Sequence, residues 1–140
     1  MKLFNLVSLI TIIAFNLLVL VFLFWLLYPY KTITFNTPEH SVETKIVKSG
    51  GYLVYDVSYC KYTNVVPTIT RYFVDGITYL VSNNEVAIKK EKGCGVNKVQ
   101  VYVPKGLPKG DYKFQVIFHY KVNPIRTIDV VSYTESFTIE

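Results

Sequence analysis

The chain of 140 residues holds two cysteines, two histidines and one tryptophan, and each scarcity removes a class of chemistry. Zinc asks for about four ligands. Cys60, Cys94, His40 and His119 show no close Cys or His spacing, so neither a metal site nor a cofactor is expected. A Cys–His nucleophilic pair stays open on residue type alone, but no nucleophile elbow or oxyanion loop accompanies it. The glycines sit in turn-like dipeptides such as Gly50-Gly51 and Asp75-Gly76, without the spacing of a phosphate-cradling loop. No Asn-x-Ser/Thr acceptor occurs. Asp56, Asp75, Asp111 and Asp129 are scattered and have turn or cross-strand explanations. The net charge is +5, yet the one dense charge run, "KKEKG" at residues 89–93, is short and interrupted by Glu91. This reads as a solvated basic surface that tolerates anionic lipid, and no nucleic-acid partner is expected.

Charge is absent altogether from residue 3 to residue 30, and "LVSLITIIAFNLLVLVFLFWLL" is almost continuously apolar. At about 1.5 Å per residue this run reaches roughly 33 Å as a helix, enough for a hydrocarbon core of about 30 Å. A cleaved signal peptide has a shorter apolar core ending in small residues. This one ends in Trp25, Tyr28, Pro29 and Tyr30, an aromatic interfacial belt. Residues 1–30 are therefore expected to be an uncleaved transmembrane signal anchor, and residues 31–140 one domain. Lysines on both flanks leave the orientation undecided by charge. Asn5, Ser8, Thr11 and Asn16 share an arc of the helix; either four polar residues are simply tolerated there or they form the seam of a weak homo-oligomer.

Beyond residue 30 the pattern alternates. "YKFQVIFHYKV" puts Tyr112, Phe114, Val116, Phe118, Tyr120 and Val122 on one face. "GYLVYDVSYCKY" turns Leu53, Tyr55, Val57 and Tyr59 inward, and "VNKVQVYVP" does so with Val99, Val101 and Val103. Asp75-Gly76 predicts a type I′ hairpin with Val74 beside Ile77 and Tyr72 beside Tyr79. "TITF" and "ETKIV" predict edge strands. After Asn123-Pro124 a last strand should run through Ile128 and Val130 to "SFTIE", with an irregularity at Val130-Val131. Seven or eight short strands with frequent turn signals predict an all-β antiparallel sandwich after one N-terminal helix.

"LPKGDYKFQV" resembles the E to F corner of immunoglobulin-like and fibronectin type III-like domains, which implies that the Tyr112 hydroxyl turns back to the preceding corner. The chain departs from the antibody pattern: Phe114 stands where the second cysteine would be, and no tryptophan follows residue 25. The layout of one anchor and one such domain is similar to that of uncharacterised small membrane proteins of bacteria and tailed phages. The topology implied by the resemblance makes residues 51–62 and 96–103 neighbours. Pairing Cys60 with Cys94 then sets Asp56 against Lys98, Tyr52 against Tyr102, Leu53 against Val101 and Tyr55 against Val99. A Cys60–Cys94 disulfide is expected on this register, with two free thiols as the alternative. Because disulfides persist outside the cytoplasm, the expected topology is a cytoplasmic N-terminus and a periplasmic or extracellular C-terminal domain.

The resulting expectation is a non-enzymatic, membrane-tethered immunoglobulin-like interaction module. Its partner would be another envelope or virion protein or a surface glycan, met by exposed tyrosines such as Tyr52 and Tyr102. Alternatives are a pilin-like structural subunit, against which Asn5 stands where a glutamate is usual, and a small cell-envelope hydrolase, for which no catalytic constellation is visible.

Overall fold

The computed structural model describes residues 2–81 and 91–140. Helix α1 spans Lys2–Leu27. Its Leu6–Leu27 segment is 22 residues with a mean hydropathy of 2.8, and none of it is buried against the rest of the chain. A helix apolar on every side and covered by nothing is unstable in water, and its length matches a bilayer. Pro29 lies just past its end, where it cannot continue the helix.

Ten strands follow. They are β1 (Ile33–Phe35), β2 (Glu39–His40), β3 (Ile46–Val47), β4 (Tyr52–Lys61), β5 (Thr68–Asp75), β6 (Ile77–Val81), β7 (Gly93–Tyr102), β8 (Gly110–Asn123), β9 (Arg126–Thr134) and β10 (Phe137–Ile139). They form two layers. One sheet is β1-β4-β7, and the other is built on β8, flanked by β9 and β10 on one side and by the β5–β6 hairpin on the other. The chain crosses between layers after β1, β3, β4, β6 and β7, so apart from the β5–β6 and β8–β9 hairpins most sheet neighbours are distant in sequence. This is an immunoglobulin-like all-β sandwich.

The period-2 patterns decide which face is buried. In β4, Leu53, Tyr55, Val57 and Tyr59 are all inside, and in β8 so are Tyr112, Phe114, Val116, Phe118 and Tyr120. Phe73 from β5 lies with its ring centroid 5.0 Å from that of Phe114 and 6.2 Å from that of Phe137, an aromatic cluster that closes one end of the core. Fully burying each such side chain is worth roughly 1.5–3 kcal/mol.

Four details differ from the sequence reading. First, the sandwich is not wholly antiparallel: β2 pairs with β9 and β3 pairs with β10 in parallel, each through two residues. Second, the β5–β6 hairpin is centred on Gly76 rather than on the Asp75-Gly76 dipeptide, so Val74 faces Thr78 and Phe73 faces Tyr79. A type I′ turn needs positive φ at both central residues, and here Gly76 (φ 60°) has it while Asp75 does not. The observed register is the one that puts Tyr79 beside Phe73, where it packs against the Tyr112 ring at 6.1 Å. Third, the alternation through Val130-Val131 is unbroken: Val130 packs on the core and Val131 faces outward. The phase changes at residues 135 and 136, between β9 and β10, where the Glu135 amide leaves the ladder to donate to the His40 carbonyl (2.9 Å). A separate irregularity lies at Lys121–Asn123 of β8. Fourth, Asp56 faces Lys98 in register, but the Lys98 ammonium is paired with Glu43, which raises its pKa.

Candidate functional site

The β4–β7 ladder runs through ten pairs, from Tyr52 opposite Tyr102 to Lys61 opposite Gly93. Its outward positions carry, from one end to the other, Tyr52 with Tyr102, Val54 with Gln100, Asp56 with Lys98, Ser58 with Val96 and Cys60 with Cys94. Cys60 and Cys94 are joined as a disulfide with Cα atoms 4.0 Å apart. The link lies on the solvent side of a single sheet, so it differs from an antibody-type bridge between layers. It fastens the end of the sheet that also carries the start of β1, since Ile33 pairs with Lys61.

At the other end of the ladder the Tyr52 and Tyr102 rings meet edge to face at 5.7 Å, with 56% of Tyr52 and 39% of Tyr102 exposed. Two amphipathic rings side by side on an open strand face offer apolar area with hydroxyls at the rim. That combination suits stacking on a sugar or packing against a protein. Lys105 lies near, its side chain passing Gly50, whose φ of 83° turns the chain into β4.

The Tyr112 hydroxyl donates to the Pro108 carbonyl at 2.9 Å, which fastens the β7–β8 connection to the first turn of β8. Burial, the largest effect, pushes its pKa up, with Tyr79 and Asp75 adding in the same direction. Asp75 and Gly76 stand at the β5–β6 turn, and the Asp75 carboxylate lies close to Gly110.

The sequence reading left His119 unassigned. The structure sets it in a line across three strands: Thr70 Oγ1 is 2.9 Å from His119 Nε2, and His119 Nδ1 is 2.7 Å from Asp129 Oδ1. Hydroxyl, imidazole and carboxylate are thus in the order of a nucleophilic triad. The three side chains lie on the open face of β5-β8-β9, whose backbones are paired in the sheet ladders. A working triad also needs donors preorganised for an oxyanion beside the hydroxyl. The line acts as a cross-strand polar ladder. Counting back from the Asn123–Arg126 pair would set His119 opposite Val130, and the register shift at Lys121–Asn123 is what brings it opposite Asp129, so the line was not legible in the sequence.

Between the layers is a cavity of about 20 Å³, lined by Phe35, Tyr55, Tyr59, Val99, Phe118 and other residues. That volume is room for a water molecule rather than an organic ligand. Among the described residues no group of three or more His, Cys, Asp and Glu side chains is placed to hold a metal ion. The charge run at residues 89–93 lies partly outside the described residues.

No protein-family model and no curated protein sequence matches the chain. Among solved structures, a Niemann-Pick type C2 protein from the Japanese carpenter ant aligns over 79% of this chain and 100% of its own, at 12% identity and a TM-score of 0.47. The CARDB domain of a Pyrococcus furiosus protein, solved with di-metal ions, aligns over 79% of this chain and 94% of its own, at 15% identity and a TM-score of 0.38. The immunoglobulin-like assignment stands on the strand order and layer crossings described above.

Proposed function

We infer that the protein is a non-enzymatic, membrane-tethered interaction module that meets its partner through the exposed Tyr52–Tyr102 pair. The observation that carries this reading is the placement of the pair. It lies at the end of the β4–β7 ladder opposite the start of β1, hence opposite the helix, on the part of the sandwich that faces away from a bilayer. A cytoplasmic N-terminus with the sandwich outside is supported by the disulfide, since such bonds persist in oxidising compartments. The partner chemistry that fits is another envelope or virion protein, or a surface glycan, offering an apolar or ring-shaped face to two tyrosines.

A photo-reactive amino acid at Tyr52 of the full chain, activated in intact cells, tests this. A discrete cross-linked species is expected, lost on Tyr102→Ala. The control position is Val96, on the same face nearer the helix. Equal yield at Val96 would refute the reading, as would no species at Tyr52 together with unchanged retention of the Tyr52→Ala chain on glycan-coated surfaces.

A further inference from the structure

The β8–β9 turn, residues 123–126, touches the C-terminal end of α1 across about 100 residues of sequence. Asn123 Nδ2 donates to the Trp25 carbonyl at 2.8 Å. The Arg126 guanidinium donates from Nη1 to the carbonyls of Leu26 at 2.9 Å and Tyr28 at 2.8 Å. The Trp25 and Leu26 carbonyls are among the last of the helix, which have no partner within it, and Tyr28 lies just past its end, its carbonyl shared with the Tyr30 amide. A cation there also complements the negative end of the helix dipole.

These distances fix a depth. Trp25 lies inside the apolar run Leu6–Leu27, about 3 Å of helix rise before its end. A side chain that hydrogen-bonds the Trp25 carbonyl therefore sits at the level of the last apolar turn, whatever the tilt of the helix. Where α1 spans a bilayer, that level is the boundary between acyl chains and headgroups.

The turn is built for a medium poor in water. Pro124 has no N–H to satisfy, and the Ile125 amide donates to Asn123 Oδ1 at 3.1 Å. Asn123 thus serves the helix with its amide nitrogen and the turn with its oxygen. Ile125 is 46% exposed at the tip, an aliphatic side chain between the two residues that bind the helix end at Trp25, Leu26 and Tyr28. The β4–β5 connection reaches the same end of the sandwich, because Thr68 pairs with His119 near the end of β8. It presents Tyr62 and Val66, both exposed, and the Lys31 ammonium lies 4.0 Å from the centre of the Tyr62 ring. Aliphatic, aromatic and basic side chains gathered at one end are the mixture found at membrane interfaces.

We propose that the β8–β9 turn is a second membrane contact: Ile125 enters the phospholipid interface beside the helix, and Asn123 and Arg126 lock the sandwich upright on its span. The domain then stands in one orientation, with Tyr52 and Tyr102 held away from the lipid, instead of swinging on a loose linker. The inference rests on α1 being a membrane span.

The test uses the full chain reconstituted in phosphatidylcholine vesicles. Cys60 and Cys94 are joined, so Ile125→Cys supplies one free thiol for an environment-sensitive fluorophore. Ile77→Cys, at the opposite end of the sandwich and 64% exposed, is the control. The expected result is blue-shifted emission at position 125 and at least threefold stronger quenching there than at position 77 by lipids carrying a shallow nitroxide. In the Asn123→Ala/Arg126→Ala background, quenching at 125 should fall to the control level while the near-UV circular dichroism of the sandwich is kept. Emission at 125 equal to that at 77 overturns the contact, and quenching that survives the double substitution overturns the lock. Alkaline carbonate separates the two readings. A chain released from the vesicles refutes the span itself, whereas a retained chain with a water-exposed label refutes only the turn.

Discussion

Replacing both Cys60 and Cys94 with serine removes a cross-link between positions 34 residues apart. In the chain-entropy account, a closed loop of that length restricts the unfolded ensemble by about 4 kcal/mol. Folded-state losses are small by comparison, because the pair lies on the solvent side of β4 and β7 and the ten-pair ladder holds those strands together without it. Domains of this size have stabilities of about 5–15 kcal/mol, so the variant should fold but be much weaker. With a urea m value of about 1.5 kcal/mol/M, the midpoint should drop by roughly 2 to 3 M. The slope should rise a little as well, because the unlinked chain expands further on unfolding. The assay is urea unfolding of the full chain in detergent, followed by the near-UV circular dichroism of the tyrosines, with mass spectrometry of unreduced peptides to verify the linked pair in the parent. A midpoint shift under about 0.5 M would refute the reasoning: the cross-link would then constrain nothing that the unfolded chain does not already avoid.

Three further outcomes are expected. Tyr112→Phe removes only the hydroxyl that donates to Pro108 and should cost about 1 kcal/mol, since Pro108 lies on an exposed turn where water can replace the donor; a change under about 0.3 kcal/mol in the same unfolding assay would mark the corner bond as idle. His40 is 2% exposed, and burial holds its pKa below the ordinary value, so the unfolded chain takes up a proton there before the folded one does. Stability attributable to His40 is therefore complete above the unfolded pKa of about 6.5 and declines as the pH falls below it, by at most about 1.4 kcal/mol per pH unit; His40→Phe should flatten this acid slope, and an unchanged slope would contradict it. In α1, Thr11 donates to the Val7 carbonyl and Asn16 to the Ile12 carbonyl of their own helix, which engages the Thr11 hydroxyl proton and one of the two Asn16 N–H groups within the span. Asn16→Leu should leave self-association of the span in a membrane two-hybrid assay within twofold of the parent, and a tenfold loss would restore the polar seam.

The parts of the fold legible in the sequence are those where a period of two runs long enough to be counted. β4, β7 and β8 have 10, 10 and 14 residues, and their inward faces follow directly from alternation. With β4 and β7 as immunoglobulin-like neighbours, the two cysteines set their register. Where the chain offers two or three residues, as in β2 and β3, no period exists to read. Their parallel pairings are decided by which segments lie alongside in three dimensions. The β5–β6 turn shows packing overriding local turn chemistry: Asp75-Gly76 suggests a two-residue loop, but burying Phe73 and Tyr79 on one face requires a register one residue away. Val130-Val131 misled because two adjacent valines suggest a slip, whereas one simply faces solvent. The contacts of Asn123 and Arg126 with the helix end had no local signature, since the partners are backbone carbonyls some 100 residues away.

A sandwich carried outside the cytoplasm on a retained span, with its tyrosine pair outward, is tested most directly by impermeant thiol labelling of Tyr52→Cys in the full chain. Position 52 is exposed and the two native cysteines are occupied with each other, so the new thiol is the one that reports. In intact cells freed of any outer wall, the account predicts complete labelling of a membrane-bound species that keeps its N-terminal helix. Labelling only after the membrane is permeabilised, or on a soluble species cut near Tyr30, would contradict it.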